Sequence, residues 1–299
     1  MESRAHEPVM VAEILASMGL ERGMNVLDAT VGLGGHSEVF LSRICPGGTL
    51  VGTEWDEQML AQAERRLHFS DCRVVLRRTD FRAAPAILDE LGLRVHGALF
   101  DLGLNSAQID DPSRGLSFRE DGPLDMRQDR TSGEPASALL NRWTAAQIER
   151  ALREYGDERF ARRIAARIVE TRKRTPLRTT KQLADCVTAS IPRALQEKRI
   201  HPATRTFQAI RIAVNREFDG LGEAIAQVAH RLSPGGVLVV LSYHSGEDRI
   251  VKNLFRDLSR EGYATLYEKP LQPSESEQSR NPRSRSAKLR AIRAVGGES

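Results

Sequence analysis

Cysteine is scarce in this chain: Cys45, Cys72 and Cys186 are odd in number and far apart, with no CxxC pair. That argues against a disulfide framework and against a cysteine zinc site, and makes a reducing, cytoplasmic setting the expectation. Long apolar runs are missing as well. The longest unbroken one is the five residues 237–241, and Glu13 interrupts the apolar stretch 9–20 before a signal-like core develops. No membrane span or targeting segment is expected. The seven histidines form no HxH or HExxH pair, so no metal site is expected. No strong charge of one sign is present either: 44 Lys and Arg against 40 Asp and Glu leave a net +4, which permits a polyanionic partner without demanding one.

What the chain does have is 299 residues, 40% of them hydrophobic and 28% charged, enough for a globular protein of one large or two modest domains. Basic residues are unevenly placed. Six of them (Arg280, Arg283, Arg285, Lys288, Arg290, Arg293) fall in a stretch without one acid, and residues 150–174 hold nine Arg or Lys against four Asp or Glu. The first run reads equally as a solvated tail or as phosphate contacts.

The first hundred residues alternate short apolar runs with amphipathic stretches. Strands are expected at 24–28, 49–54, 73–76 and 97–101, and helices at 37–44 and 56–67. Nearly continuous apolar strands in a βαβα rhythm imply a parallel sheet covered on both faces, a doubly wound α/β domain. The rhythm then stops. The next strand, 237–241, follows a Ser-Pro-Gly-Gly turn at 233–236, and 135 residues separate it from Asp101. A crossover of ~30 residues leaves roughly 100 for an inserted helical subdomain. Helices are expected around Phe160, Ile164 and Ile168, at 180–191, and at 204–218, the last leading back to the sheet. A helix at 247–260 and a closing hairpin of 264–267 with 287–295 complete the pattern, with a Ser/Gln/Pro-rich loop at 271–279. The expected division is 1–104 with 211–299 for the sheet domain and 105–210 for the helical insert.

Chemistry collects at the strand ends. After the first strand, Asp28-Ala29-Thr30-Val31-Gly32-Leu33-Gly34-Gly35-His36-Ser37 runs into a helix, the order in which glycines let a ligand approach backbone N–H groups. Ser37 stands where the dinucleotide fingerprint GxGxxG needs glycine, which weakens the case for a pyrophosphate. Glu54 closes the second strand, where a carboxylate accepts from ribose hydroxyls. Together these fit the adenosine half of S-adenosylmethionine; a bare tight turn is the plainer alternative. Asp80-Phe81 after the third strand offers a ring for an adenine, or simply core. Asp101-Leu102-Gly103-Leu104-Asn105-Ser106 follows the fourth strand, without the Pro-Pro-aromatic signature common in amine methylation. Two further segments, 108–127 and 242–248, are rich in glycine and charge and read as ordered active-site loops or as solvated linkers. Among the histidines, His36 and His244 are the candidates.

Taken together these residues resemble the RsmH/MraW family of bacterial S-adenosylmethionine-dependent methyltransferases, across nearly the whole chain. The similarity runs through His6-Glu7-Pro8-Val9, then residues 28–37, 101–111, 114–127, 155–159, 201–215, 242–252 and 281–290. It implies a class I methyltransferase (Rossmann-like) fold with a helical insert for RNA. It also implies S-adenosyl-L-methionine held at Gly34, Gly35, His36, Glu54, Phe81, Asp101 and Gln108. The implied activity is methylation of the N4 amine of a decoding-centre (P-site) cytosine in 16S ribosomal RNA, within the small subunit. Five positions depart from the family pattern. Glu54 replaces Asp, Asn105-Ser106 replaces two serines, Tyr243 and Gly246 replace Phe and Leu, and Gln128 replaces Met.

For direct in-line transfer to an amine, Asp101, Asn105 and Ser106 are the candidate acceptors, with His244 behind them. Carbon-5 chemistry would call for a cysteine nucleophile at the substrate edge, and none is placed there. Methylation of another RNA or of a small-molecule amine is the alternative. Two rivals of other classes are a nicotinamide oxidoreductase, disfavoured by Ser37, and a non-catalytic assembly factor, disfavoured by the intact glycine loop.

Overall fold

The computed structural model describes residues 8–197 and 200–295; of Ser106 only the backbone is described. His6 and Glu7 lie outside the described residues. The chain divides into two compact units, Met1–Gly103 with Gly220–Ser299, and Leu104–Asp219.

The first unit opens with α1 (Val11–Met18), then β1 (Asn25–Asp28), α2 (Gly35–Ile44), β2 (Thr49–Glu54), α3 (Glu57–Arg66), β3 (Arg73–Arg78), α4 (Ala84–Glu90) and β4 (Val95–Asp101). The second holds α5 (Ser106–Asp110), α6 (Ala136–Arg142), α7 (Ala145–Gly156), α8 (Ala161–Arg174), α9 (Thr180–Ser190) and α10 (Thr204–Asn215). The chain re-enters the first unit through α11 (Leu221–Ala229), β5 (Leu232–Ser242), α12 (Ser245–Leu258), β6 (Tyr263–Thr265), α13 (Glu275–Arg280) and β7 (Lys288–Ala294).

The sheet runs β3-β2-β1-β4-β5-β7-β6. The first five strands are parallel, and β7 lies antiparallel between β5 and β6. Successive strand residues point to opposite faces, which explains the continuous apolar runs. Val26, Leu50, Leu99, Val237 and Val239 pack with Ile14, Phe40, Leu41 and Ala63 from α1, α2 and α3. Leu27, Val51, Ala98, Phe100, Leu238 and Val240 pack with Leu88, Ile225, Val228 and Phe255 from α4, α11 and α12. Each fully buried Val, Leu, Ile or Phe among them contributes about 1.5–3 kcal/mol relative to exposure.

In the second unit Ile148 and Leu152 of α7, Ile164 and Ile168 of α8, Leu183 and Val187 of α9, and Phe207 and Ile210 of α10 form one core. The expected boundary at 210 therefore cuts through α10. That helix closes the helical core, and α11 is the element that leads into the sheet.

Three other expectations are corrected. Residues 233–236 do not precede β5 but bulge within it: Val95 pairs with Leu232 and Gly97 with Val237, so the extra residues are looped out of the ladder. The loop expected at 271–279 contains most of α13, capped by the Ser274 hydroxyl, which accepts from the Glu277 N–H. A disulfide joins Cys45 to Cys72, with 5.5 Å between their Cα atoms. Sequence separation is a poor guide here, because Gly47 N–H donates to Asp71 and Arg73 N–H to Gly48, which brings the two segments side by side. No helix among the described residues is long and apolar enough to cross a membrane.

Candidate active site

Three parallel strands end in an acid at the carboxyl edge: Asp28 on β1, Glu54 on β2 and Asp101 on β4. Strand order reverses between β1 and β4, and the crevice outside the carboxyl ends at such a switch point is where open α/β sheets bind ligands.

The turn from β1 to α2 is stitched to both neighbours. Ala29 N–H donates to Leu99 and Val31 N–H to Thr53. The Asp101 N–H donates to Thr30 Oγ1 at 2.7 Å. Asp28 Oδ2 accepts from Ser37 at 2.6 Å and Oδ1 accepts from Thr30 N–H at 3.1 Å. Burial pushes the Asp28 carboxyl above its ordinary range, and the Ser37 hydrogen bond opposes that rise. Gly32 and Gly34 have φ of 55° and 81°, in the left-handed region that glycine enters without cost. A side chain on Gly34 would also meet Leu67 at 3.2 Å, and one on Gly35 would meet Pro8 at 3.3 Å.

Glu54 is 9% exposed. Its Oε2 accepts from Gly32 N–H at 2.9 Å and its Oε1 from Asp56 N–H at 2.8 Å. Burial pushes this carboxyl up to about 7, against the pull of the two backbone donors. His36 is buried at the start of α2. Its Nε2 donates to the Val9 carbonyl at 2.9 Å, which leaves Nδ1 facing Asp101 Oδ2 at 3.6 Å. The other Asp101 oxygen, Oδ1, accepts from the Tyr243 hydroxyl at 2.8 Å. Phe81 packs edge-on against Phe100, 6.0 Å between centroids, with the Arg82 guanidinium 5.7 Å from its ring. Asp80 is taken up by Arg82, which it holds through both carboxylate oxygens.

His244 caps α12 and lies in a local pair. Its Nδ1 accepts from Glu247 N–H at 3.4 Å, and its Nε2 sits 3.0 Å from Glu247 Oε1. In the second unit Asn105 and Gln108 form a reciprocal capping box on α5, with Gln108 Oε1 accepting from Asn105 N–H at 3.3 Å. The Ser106 side chain lies outside the described residues. Segment 112–131 is an ordered loop. Asp125 grips Arg127 through both oxygens, and Asn215 bridges Gln128 N–H and the Met126 carbonyl. Gly115 and Gly122 allow backbone contacts, since a Cβ at either would lie 2.1 Å from a carbonyl oxygen.

The structure thus gathers His36, Asp101, Glu54 and the glycine turn along one edge of the first unit, with Phe81 after β3. Sequence reasoning passed over Thr30, and gave Ser37 and Tyr243 no working role. The signal for the first two was their place as hydroxyl residues soon after a strand-ending acid, Thr30 in the turn and Ser37 in the first turn of the helix.

This strand order, with its antiparallel seventh strand, defines a class I methyltransferase fold, and the glycine turn and the buried acid that ends β2 lie along its carboxyl edge. The family model described as the MraW methylase family matches residues 3–295, and the chain belongs to that family. A protein of Trichlorobacter lovleyi called ribosomal RNA small subunit methyltransferase H is 44% identical, the match covering 99% of this chain and 100% of the relative. The protein of the same name from Persephonella marina is 42% identical over 97% of this chain and 99% of its own.

The cofactor is S-adenosylmethionine. The edge suits it on its own chemistry. Glu54 is a buried carboxylate whose oxygens each accept one backbone donor and keep lone-pair capacity for ribose hydroxyls, while the first turn of α2 offers N–H groups to an anionic end.

Proposed function

We propose that this protein transfers a methyl group from S-adenosylmethionine to the N4 amine of a decoding-centre (P-site) cytosine in 16S ribosomal RNA of the small subunit. The observation that carries this reading is the full-length match to relatives named for small-subunit ribosomal RNA. In it, Gly34, Gly35 and His36 form the cradle, Glu54 takes the ribose, Phe81 packs on the adenine, and Gln108 completes the cofactor contacts. The cofactor supplies an electrophilic methyl on a positive sulfur. The Asp101 carboxylate, held by the Tyr243 hydroxyl on a backbone tied to Thr30, accepts a hydrogen bond from the N4 amine and sharpens its lone pair for in-line attack. Asn105 and Ser106 hold the base, and His244 orders the loop after β5 through Glu247. With the methyl group passing from sulfur to nitrogen, Asp101 would take up the surplus amine proton and release it to water.

The helical unit is the RNA-recognition element of this reading. Arg163, Arg167 and Arg174 share one exposed stripe of α8, with Arg162 beside it, and none has an ion-pair partner among the described residues. Such a stripe suits phosphates. In the basic tail the picture is different: Lys288 and Arg290 both pair with Asp248, which gives them a structural task. The test is methyl incorporation into purified small subunits, with the product nucleoside identified by mass spectrometry. N4-methylated cytidine at one position supports the reading, and a methyl group on another base or on a small amine contradicts it.

A further inference from the structure

We propose that Tyr243 is a positioning residue for methyl transfer, its buried hydroxyl clamping the Asp101 carboxylate in the orientation and charge state that receive the target amine. The inference rests on the role proposed for Asp101 in methyl transfer.

Asp101 pairs with Leu241 across β4 and β5, so Tyr243 stands two residues beyond, on the neighbouring strand's exit. From there its hydroxyl reaches Asp101 Oδ1 at 2.8 Å. The backbone of Tyr243 is itself anchored, its N–H donating to Glu247 Oε2 at 2.9 Å. The ring lies beside Gly103, whose φ of 108° is one that residues with a side chain rarely adopt; a Cβ there would stand in ordinary contact with the ring at 3.4 Å. On the other flank Oδ2 faces His36 Nδ1, and the Asp101 backbone is tied to Thr30.

A phenol donating to a carboxylate favours the ionised acid and removes its rotational freedom. The donor is always available. Burial, then the nearby Asp101, push the Tyr243 hydroxyl well above its ordinary value, so it keeps its proton throughout the working range. The charged or titratable groups facing this pair are Glu247 and Glu277 near Tyr243, and His36 near Asp101, with Asp28 behind His36.

Phenylalanine fills the same space without the proton. Tyr243→Phe should therefore lower kcat roughly three- to tenfold. It should also move the acid limb of the kcat/KM profile to higher pH and leave S-adenosylmethionine affinity within about twofold by calorimetry. Replacing Tyr243 by 3-fluorotyrosine, a stronger donor of nearly the same shape, should move the limb the other way. A ring that only packs would change thermal stability and leave both limbs where they are, and unchanged limbs in the two variants overturn the proposal. Asp101→Asn separates the two readings. If it abolishes transfer while Tyr243→Phe behaves as wild type, the role of Asp101 stands and that of Tyr243 falls; if it transfers at the wild-type rate, both fall.

Discussion

Ser37 donates its hydroxyl proton to Asp28 at 2.6 Å across the turn between β1 and α2. The residue that breaks the dinucleotide fingerprint is thus a working part of this turn. Asp28 is fully buried and also receives Thr30 N–H, so removing one donor leaves a buried acid short of a partner. Ser37→Ala should cost about 1–3 kcal/mol of folding stability by urea unfolding. A loss under about 0.5 kcal/mol would show that the bond contributes little.

Glu54 makes cofactor binding depend on pH. Its carboxyl is raised to about 7 in the folded protein from 4.5, and hydroxyl donors favour the ionised form. S-adenosylmethionine affinity should therefore rise about tenfold between pH 6 and 8. Stability of the cofactor-free protein should move the other way. The folded state holds the proton longer than the unfolded chain, so stability falls as pH rises from about 4.5 to 7 and is level beyond, by at most about 3 kcal/mol. Calorimetry and urea titrations at several pH values check both, and Glu54→Gln should flatten both while weakening binding. A pH-independent affinity in the native protein contradicts the ribose role.

The arginine stripe on α8 gives a salt test. Changing Arg163, Arg167 and Arg174 together to Gln should weaken RNA binding and reduce the slope of log K against log salt by up to about 1 for each phosphate no longer neutralised. Cofactor affinity should be unchanged. An unaltered slope assigns the stripe to solvent.

Arg290 and Lys288 should behave as structural residues. Burial tends to raise the Asp248 carboxyl, yet the hydrogen bond from Arg290 and the charges of Arg290 and Lys288 hold it below its ordinary range. Arg290→Met should destabilise the protein by about 1–2 kcal/mol at neutral pH. The difference should shrink as pH falls and Asp248 takes up its proton, and RNA affinity should be retained. A loss of RNA binding without loss of stability would reverse the assignment.

The parallel sheet was legible because the apolar runs in β2 and the centre of β5 are buried on both faces and alternate in sequence with helices that cover them. The glycine turn was legible because the left-handed backbone at Gly32 and Gly34 leaves few residue choices, and Glu54 because it closes an otherwise uncharged strand. What escaped the sequence depends on contacts between distant segments. Nothing in spacing brings Cys45 to Cys72, and nothing in the local pattern around 204–218 says that α10 closes the helical core. The bond from Tyr243 to Asp101 joins residues far apart in the chain and depends on strand order. His244 stood out by its chemistry, but only the structure shows its ring engaged by Glu247.

The reaction proposed for this family member is methylation of the N4 amine of one cytosine in the decoding centre. The most direct measurement is mass spectrometry of nucleosides and oligonucleotide fragments of 16S ribosomal RNA from cells with and without the protein, and with the Glu54→Ala variant. The expected result is one decoding-centre cytidine carrying an N4 methyl group in the wild type, absent without the protein and strongly reduced in the variant. An unchanged methylation pattern in cells lacking the protein, or loss of a methyl group from a different base, would contradict the account.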